Sequence, residues 1–430
     1  MQIVKVTPSS SEIERICSRE VAPSGEIYNK VLDILKTVKA KGLEAVLDYA
    51  QKFDGLQGDS LRVPSSQIAK AAAKCPAELQ KALKQAIKNV RDFHKNQLEE
   101  SWLVQGKDGV VLGQRIRPMK RVGLYVPGGA GVYPSTVIMN AVPALVAGVK
   151  DIVVVTPIKG ELNRAVAFVL KELGITEVYH IGGAQAIAML AYGAKNAKGK
   201  TIVERVDKIV GPGNVFAAIA KKEVFGQVDI DMVAGPSEVL VMADETCDPD
   251  FVAADLLSQA EHGSGFEAAI CITDNMQTAQ LISECVDIQV ENSPKKELLA
   301  KVLGNFGRIL VVKNWDDGVA VANKIAPEHL EVIAADADAI ASRIENAGAV
   351  FIGPWSSEPV GDYFAGPNHV LPTNGTGRFF SPLGVYDFQK RMSIIRYSEK
   401  AIKKNAKAIA AIATEEGFFH HAQAVLKRLF

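Results

Sequence analysis

Cysteine is scarce in this sequence and never occurs in a metal-binding or redox spacing. The five cysteines, Cys17, Cys75, Cys247, Cys271 and Cys285, are odd in number and far apart. With no CxxC pair among them, neither a disulfide framework nor a cysteine-ligated zinc site is expected, and a reducing compartment fits. Net charge is missing as well: 49 Lys plus Arg balance 49 Asp plus Glu. That balance gives no electrostatic reason to expect nucleic acid or an anionic membrane as partner. The basic residues Lys403, Lys404 and Lys407 lie in an alanine-rich stretch and read as a solvated helix face. No apolar run reaches the roughly 20 residues of a membrane span. The first 20 residues lack the apolar core of a secretory signal. The default expectation is a cytoplasmic protein.

What is present is enough for more than one core. The chain has 430 residues, 48% of them hydrophobic, and at roughly 100–200 residues per domain that predicts two to four domains. Residues 1–20 read as a short arm. Helical periodicity marks 26–52 and 66–100. From residue 121 the rhythm changes to β/α alternation. Strands are expected at 121–126, 151–156, 177–181 and 206–210, with helices at 136–149, 162–173 and 184–192 between them. A second series places strands at 239–242, 268–273, 308–312, 330–334 and 349–352. This alternation is the signature of parallel, doubly wound sheets. The tail, 383–430, reads as helix-rich. The expected fold is therefore α/β, with two doubly wound, incomplete Rossmann-like sheet domains and small N-terminal and C-terminal helical appendages. The expected division is an arm at 1–24, one α/β domain from 25–122 with 238–382, a second at 123–237, and an appendage at 383–430.

Of the seven histidines, His94 and His180 read as structural. The others sit in richer settings. Gln259 and His262 are three residues apart at the end of an expected helix, so they share one face and could converge on one cation. A helix-end polar cluster is the plain alternative. Glu328 and His329 are adjacent where a strand begins and offer two proton-transfer groups of different basicity; a surface pair is the alternative. Asp362 and His369 lie in a Gly/Pro-rich segment after the last strand, where carboxyl-end loops carry function. Glu416, His420 and His421 could add a further ligand.

Residues 263–268 match GxGxxA, but they follow a helix and precede a strand, the wrong order for a pyrophosphate site. Better anion-binding turns are Gly128-Gly129-Ala130-Gly131 and Gly211-Pro212-Gly213-Asn214, each after a strand and before a helix. Either could also be no more than a tight turn.

Together these stretches carry a resemblance that spans nearly the whole chain: GLYVPGG at 123–129, GGAQAIAMLAYG at 182–193, VDKIVGPGN at 206–214, AGPSEVLV at 234–241, LSQAEH at 257–262, APEHLE at 326–331, GDYFAGPNHVLPT at 361–373 and VYDFQKR at 385–391. The sequence resembles the histidinol dehydrogenases. That resemblance implies an NAD- and zinc-dependent oxidation of the amino alcohol histidinol through its aldehyde to histidine, and an intertwined homodimer. It implies zinc ligands at Gln259, His262, Asp362 and His421, with the spacing from Glu416 favouring His421 over His420. It implies a catalytic pair at Glu328 and His329, and NAD contacts at Tyr125, Gln185 and Asn214. Further substrate contacts would be Ser237, Glu358, His369 and Glu416, beside the metal ligands and His329. His329 would serve as base for the first oxidation. Glu328 would activate water for the second, which requires a carboxyl raised by burial.

Two departures stand out. Gly263-Ser264-Gly265 replaces the Asp-Pro that commonly follows His262 in the family, and 196–204 looks like a surface insertion. The nearest rival is a relative that oxidises another small diol, such as a sulfonated propanediol. A zinc hydrolase would need an HExxH helix or a Ser-His pair, and neither occurs. A non-catalytic metal module leaves the Glu328-His329 pair unexplained.

Overall fold

The structure, a computed structural model, describes residues 1–19, 25–128, 133–263 and 265–429. Two parallel sheets organise it. The first has six strands in the order Gln2–Lys5, Gly307–Val311, Ala268–Thr273, Glu238–Ala243, His329–Ile333 and Ala349–Ile352. The second has five, in the order Asp229–Ile230, Lys208–Val210, Arg121–Tyr125, Asp151–Thr156 and Glu177–His180. Every pairing in both is parallel. The central strands are buried on both faces, which is why they read as unbroken apolar runs such as 239–242 and 152–155. Side chains of Asn163, Asn214, Asp248, Asn275 and Asn314 accept from the first amides of the helices they precede, fixing where those helices begin.

Each sheet winds outward from one strand and then reverses. In the six-stranded sheet the reversal lies between Glu238–Ala243 and His329–Ile333, and in the five-stranded sheet between Arg121–Tyr125 and Lys208–Val210. Such switch points leave a crevice.

The doubly wound expectation holds; the grouping of segments around the sheets differs from it. Val90, Ile87 and Leu83 share a core with Val122, Leu124 and Val154, while Val31, Leu35 and Val46 share one with Val153 and Val155. The helices Gly25–Lys41 to Ala77–Lys95 thus pack on the five-stranded sheet rather than on the half containing 238–382. Their apolar stripes cover the two faces that the β/α helices leave partly bare. The arm is not a loose extension. Its strand Gln2–Lys5 edges the six-stranded sheet, and Ile13 and Ile16 enter that sheet's core.

The tail is not wholly helical. Gln389–Arg396 is a strand paired antiparallel with Val111–Pro118, which also pairs with Trp102–Gln105. Helices Glu399–Glu415 and Phe419–Leu426 follow. The 196–204 segment contributes to a small hairpin, Ala194–Lys195 with Thr201–Val203. Residues 129–131 of one anion-binding turn and Ser264 lie outside the described residues.

Candidate active site

The first candidate cluster is built at the amino ends of the six-stranded sheet. His329 is the first residue of its strand, and Glu328 precedes it. Both are buried, at 2% and 7% exposure. Glu238, the first residue of the neighbouring strand, brackets them. Its N–H donates to Glu328 Oε2 at 2.9 Å, and the Glu328 N–H donates back to Glu238 Oε2 at 3.2 Å. His329 Nδ1 donates to the Glu238 carbonyl at 3.0 Å. That bond fixes the ring so that Nε2 faces Asp362 Oδ1, 3.4 Å away. Arg19 neutralises Glu238, and the Asn374 N–H donates to it at 2.9 Å.

Burial pushes the Glu328 carboxyl up to about 8, outweighing the pull of His329. Burial alone would lower His329, but Glu328 and Asp362 outweigh it and lift the imidazole to about 10. A cation on Asp362 would remove that part of the lift and leave the larger contribution of Glu328.

Asp362 reaches this spot because the chain folds back. After the strand Ala349–Ile352, residues Glu358–Val360 and Gly361–Ala365 return along the sheet. The expected carboxyl-end location is therefore corrected: the segment leaves from the carboxyl end, but its carboxylate works at the amino end. His369 Nδ1 donates to the Asp362 carbonyl at 3.1 Å. Glu358, 3% exposed, accepts from the Ser258 hydroxyl at 2.7 Å. His262 follows the helix Pro249–Ala260, and its Nδ1 lies 3.3 Å from Ser237 Oγ at an exposed rim.

Gln259 is fully buried, and neither its Oε1 nor its Nε2 has a partner. An orphaned amide in such a place costs roughly 1–3 kcal/mol. A cation taking Oε1 answers half of that cost. Imidazole, carboxylate and amide oxygen form a donor set suited to zinc. Among the described residues the tightest metal-capable trio is His329, Glu358 and Asp362, within 4.8 Å of one another. Only Asp362 belongs both to that trio and to the set the resemblance implied. Glu416 and His421 are exposed in the tail, where His421 packs on Phe418, with ring centroids 5.0 Å apart. The single chain does not bring them to the other residues.

At the carboxyl ends of the five-stranded sheet lies a second cradle. Tyr125 ends its strand, and its hydroxyl accepts the Gly183 N–H at 3.0 Å. Gln185 Nε2 donates to Asp54 Oδ2 at 3.1 Å. Gly211 has φ +113°, and a Cβ there would lie 2.2 Å from the Tyr125 carbonyl oxygen, so only glycine lets the turn approach. Asn214 Oδ1 caps its own helix by accepting from Phe216 and Ala217, both at 3.1 Å, which leaves its amide nitrogen for a ligand. Tyr125 and Gln185 meet at Gly183, and Asn214 follows the glycine turn that abuts Tyr125. His94 Nδ1 donates to the Val90 carbonyl at 2.7 Å inside the core, the structural role expected of it.

Sequence reasoning singled out neither Glu238 nor Asp54. An acid opening an otherwise apolar strand is the signal for the first. Asp54 carries no signal, because its partner Gln185 is 131 residues away.

A crevice edged by glycine turns in one half and a buried imidazole–carboxylate centre in the other make the plan of an α/β oxidoreductase. The histidinol dehydrogenase family profile matches residues 17–429. A histidinol dehydrogenase of Geobacillus kaustophilus is 50% identical over 426 residues, covering 97% of this chain and 99% of its own. One of Bacillus subtilis is 47% identical over 422 residues, covering 97% of each. The crystal structure of histidinol dehydrogenase from Elizabethkingia anophelis superposes with TM-score 0.92 at 36% identity, covering 100% of this chain and 98% of that one. The chain belongs to the histidinol dehydrogenase family.

The orphaned Gln259 amide yields a prediction. Gln259→Leu removes two unsatisfied buried atoms, so the metal-free protein should unfold no earlier than wild type and gain up to about 2 kcal/mol. The stabilisation that added zinc gives the wild type should vanish in the variant. Thermal melts with chelator and with zinc check both. A variant less stable without metal, yet still stabilised by zinc, contradicts the ligand role.

Proposed function

We propose that this protein oxidises L-histidinol to L-histidine with two NAD and one water, through an aldehyde that stays bound. The observation that carries this is the buried Glu328-His329 pair, bracketed by Glu238 and facing Asp362, in a chain that matches its family end to end. Zinc, held by Gln259, His262 and Asp362 with His421 of a second copy, would supply a positive centre that orients the substrate's amino and imidazole nitrogens.

His329 Nε2 takes the hydroxyl proton as the first hydride leaves the substrate carbon. Glu328 then takes a proton from water as its oxygen adds to the aldehyde, and a second hydride leaves the hydrate. Ser237, Glu358 and His369 surround the reacting end. Tyr125, Gln185 and Asn214 serve NAD in the other half. No cysteine intermediate is required: burial pushes the Cys271 thiol far up, so it stays protonated. The Glu358 carboxyl and the His369 imidazole suit an amino alcohol better than a sulfonated diol, which would bring its own negative charge.

The tail supports an intertwined homodimer. Leu103, Ile395, Ile412, Phe418 and Phe419 are all exposed on the projecting sheet and helices, an apolar surface that calls for cover. A second copy covers it and receives Glu416 and His421. No described helix is long and apolar enough to cross a membrane, and five unpaired thiols suit the cytoplasm.

With limiting histidinol, about two NADH should form per substrate, read by absorbance. One NADH, or faster turnover of a sulfonated propanediol, overturns the assignment. The crossed dimer has its own test. Chains carrying His421→Ala are co-expressed with chains carrying Asp362→Ala, each inactive alone. Purified heterodimers should recover about half of wild-type activity, because one site carries both defects and the other neither. Heterodimers that form but stay inactive refute the crossing.

A further inference from the structure

Behind Glu358 lie two acids that the reaction does not use. Asp255, on the helix Pro249–Ala260, and Glu331, on the strand His329–Ile333, are 8% and 1% exposed. Their carboxyl groups lie against each other. Two ionised carboxylates contain no donor, so Glu331 Oε2 would be a buried acceptor with nothing to accept from. A proton on one of them resolves the conflict. Burial first, then the neighbouring Asp255, pushes Glu331 up to about 9.

The other oxygen of Glu331 is also engaged. Oε1 accepts the Glu358 N–H at 2.7 Å. Ser258, three residues after Asp255 on the same helix, donates to Glu358 Oε2 at 2.7 Å. Two rungs therefore join this helix to the segment that starts at Glu358. One runs from Asp255 through Glu331 to the Glu358 amide, and the other from Ser258 to the Glu358 carboxylate. The helix bears Gln259 and leads into His262. The segment leads into Asp362. The ligands implied for the metal thus come from two elements whose relative position depends on these rungs.

We propose that Asp255 and Glu331 are positioning residues that hold Gln259 and His262 in register with Asp362 and so determine how tightly the metal is kept. This inference rests on the metal-site reading above.

Zinc affinity of the purified enzyme, measured by competition with a chromogenic chelator, tests it. Asp255→Ala and Glu331→Ala should each weaken zinc on the order of 10–100-fold, the usual effect of losing an outer-shell partner. Glu331→Gln keeps an oxygen for the Glu358 amide and offers an N–H to Asp255, so it should hold zinc within about threefold of wild type. Wild-type affinity in both alanine variants overturns the clamp. So does Glu331→Gln that retains zinc but loses about 100-fold or more in kcat, since that marks a proton-transfer role. Should Glu331→Ala not fold, Asp255→Ala and Glu331→Gln still decide. His262→Ala is the control. If it keeps zinc like wild type, the metal-site reading itself fails. If it loses zinc while the alanine variants keep it, only the clamp fails.

Discussion

Glu238 and Glu328 sit side by side at the amino ends of adjacent parallel strands, each accepting the other's backbone amide. Two carboxylates so close and so buried repel each other and forfeit hydration, a cost that must be met locally. Arg19, brought in by the arm, neutralises Glu238, and the Asn374 amide adds a donor. Glu328 has the His329 imidazole, 3.7 Å away, as its partner, and burial outweighs the pull of that ring. Burial raises both carboxyls, opposed at Glu238 by Arg19 and two backbone amides and at Glu328 by His329, and the bracket orients the imidazole through the Glu238 carbonyl. The arm, the two central strands and the 374 turn all converge on this arrangement. Loss of the Arg19 contact would be felt at Glu328 without touching it.

The two halves use their switch points differently. In the five-stranded sheet the crevice is at the carboxyl ends, where Tyr125 and the Gly211 turn meet, the usual place for a ligand in such sheets. In the six-stranded sheet the buried imidazole–carboxylate cluster lies at the amino ends. A helix that packs on a parallel sheet runs antiparallel to its strands, so Gln259 and His262, at the end of Pro249–Ala260, arrive where the strands begin. Asp362 arrives by the returning segment. A cofactor held by one half and a substrate held by the other is the division of labour this arrangement permits.

Much of this was legible before the fold was known. The strands at 151–156 and 268–273 fall where apolar, β-branched runs placed them, because burial on both faces leaves little room for polar residues, and Ala349–Ile352 falls where expected as a half-exposed edge strand. Gln259, His262, Glu328, His329, Asp362 and His369 were nameable because their motifs are dense in chemistry, Ser237 and Glu358 only through the family resemblance; Asp362 meets His329 and His369, and Ser237 meets His262. Other features depend on partners distant in sequence. The strand Gln389–Arg396 carries Lys390, Arg391 and Arg396 and pairs with residues some 270 positions earlier, so its own pattern does not announce it. The helices of 25–95 show amphipathic faces but not which sheet those faces cover. Asp255 and Glu331 look like ordinary helix and strand acids until the fold sets them against each other.

The central claim is that the bracket gives His329 and Glu328 separate tasks, one for the alcohol and one for water. The most direct measurement follows the two oxidations separately by NADH formation, from histidinol and from added histidinaldehyde, in Glu328→Gln and His329→Asn. Glu328→Gln should slow aldehyde oxidation on the order of 10²–10⁴-fold and alcohol oxidation far less, and His329→Asn should slow the alcohol step by a similar factor. Equal slowing of both steps by Glu328→Gln would contradict the account.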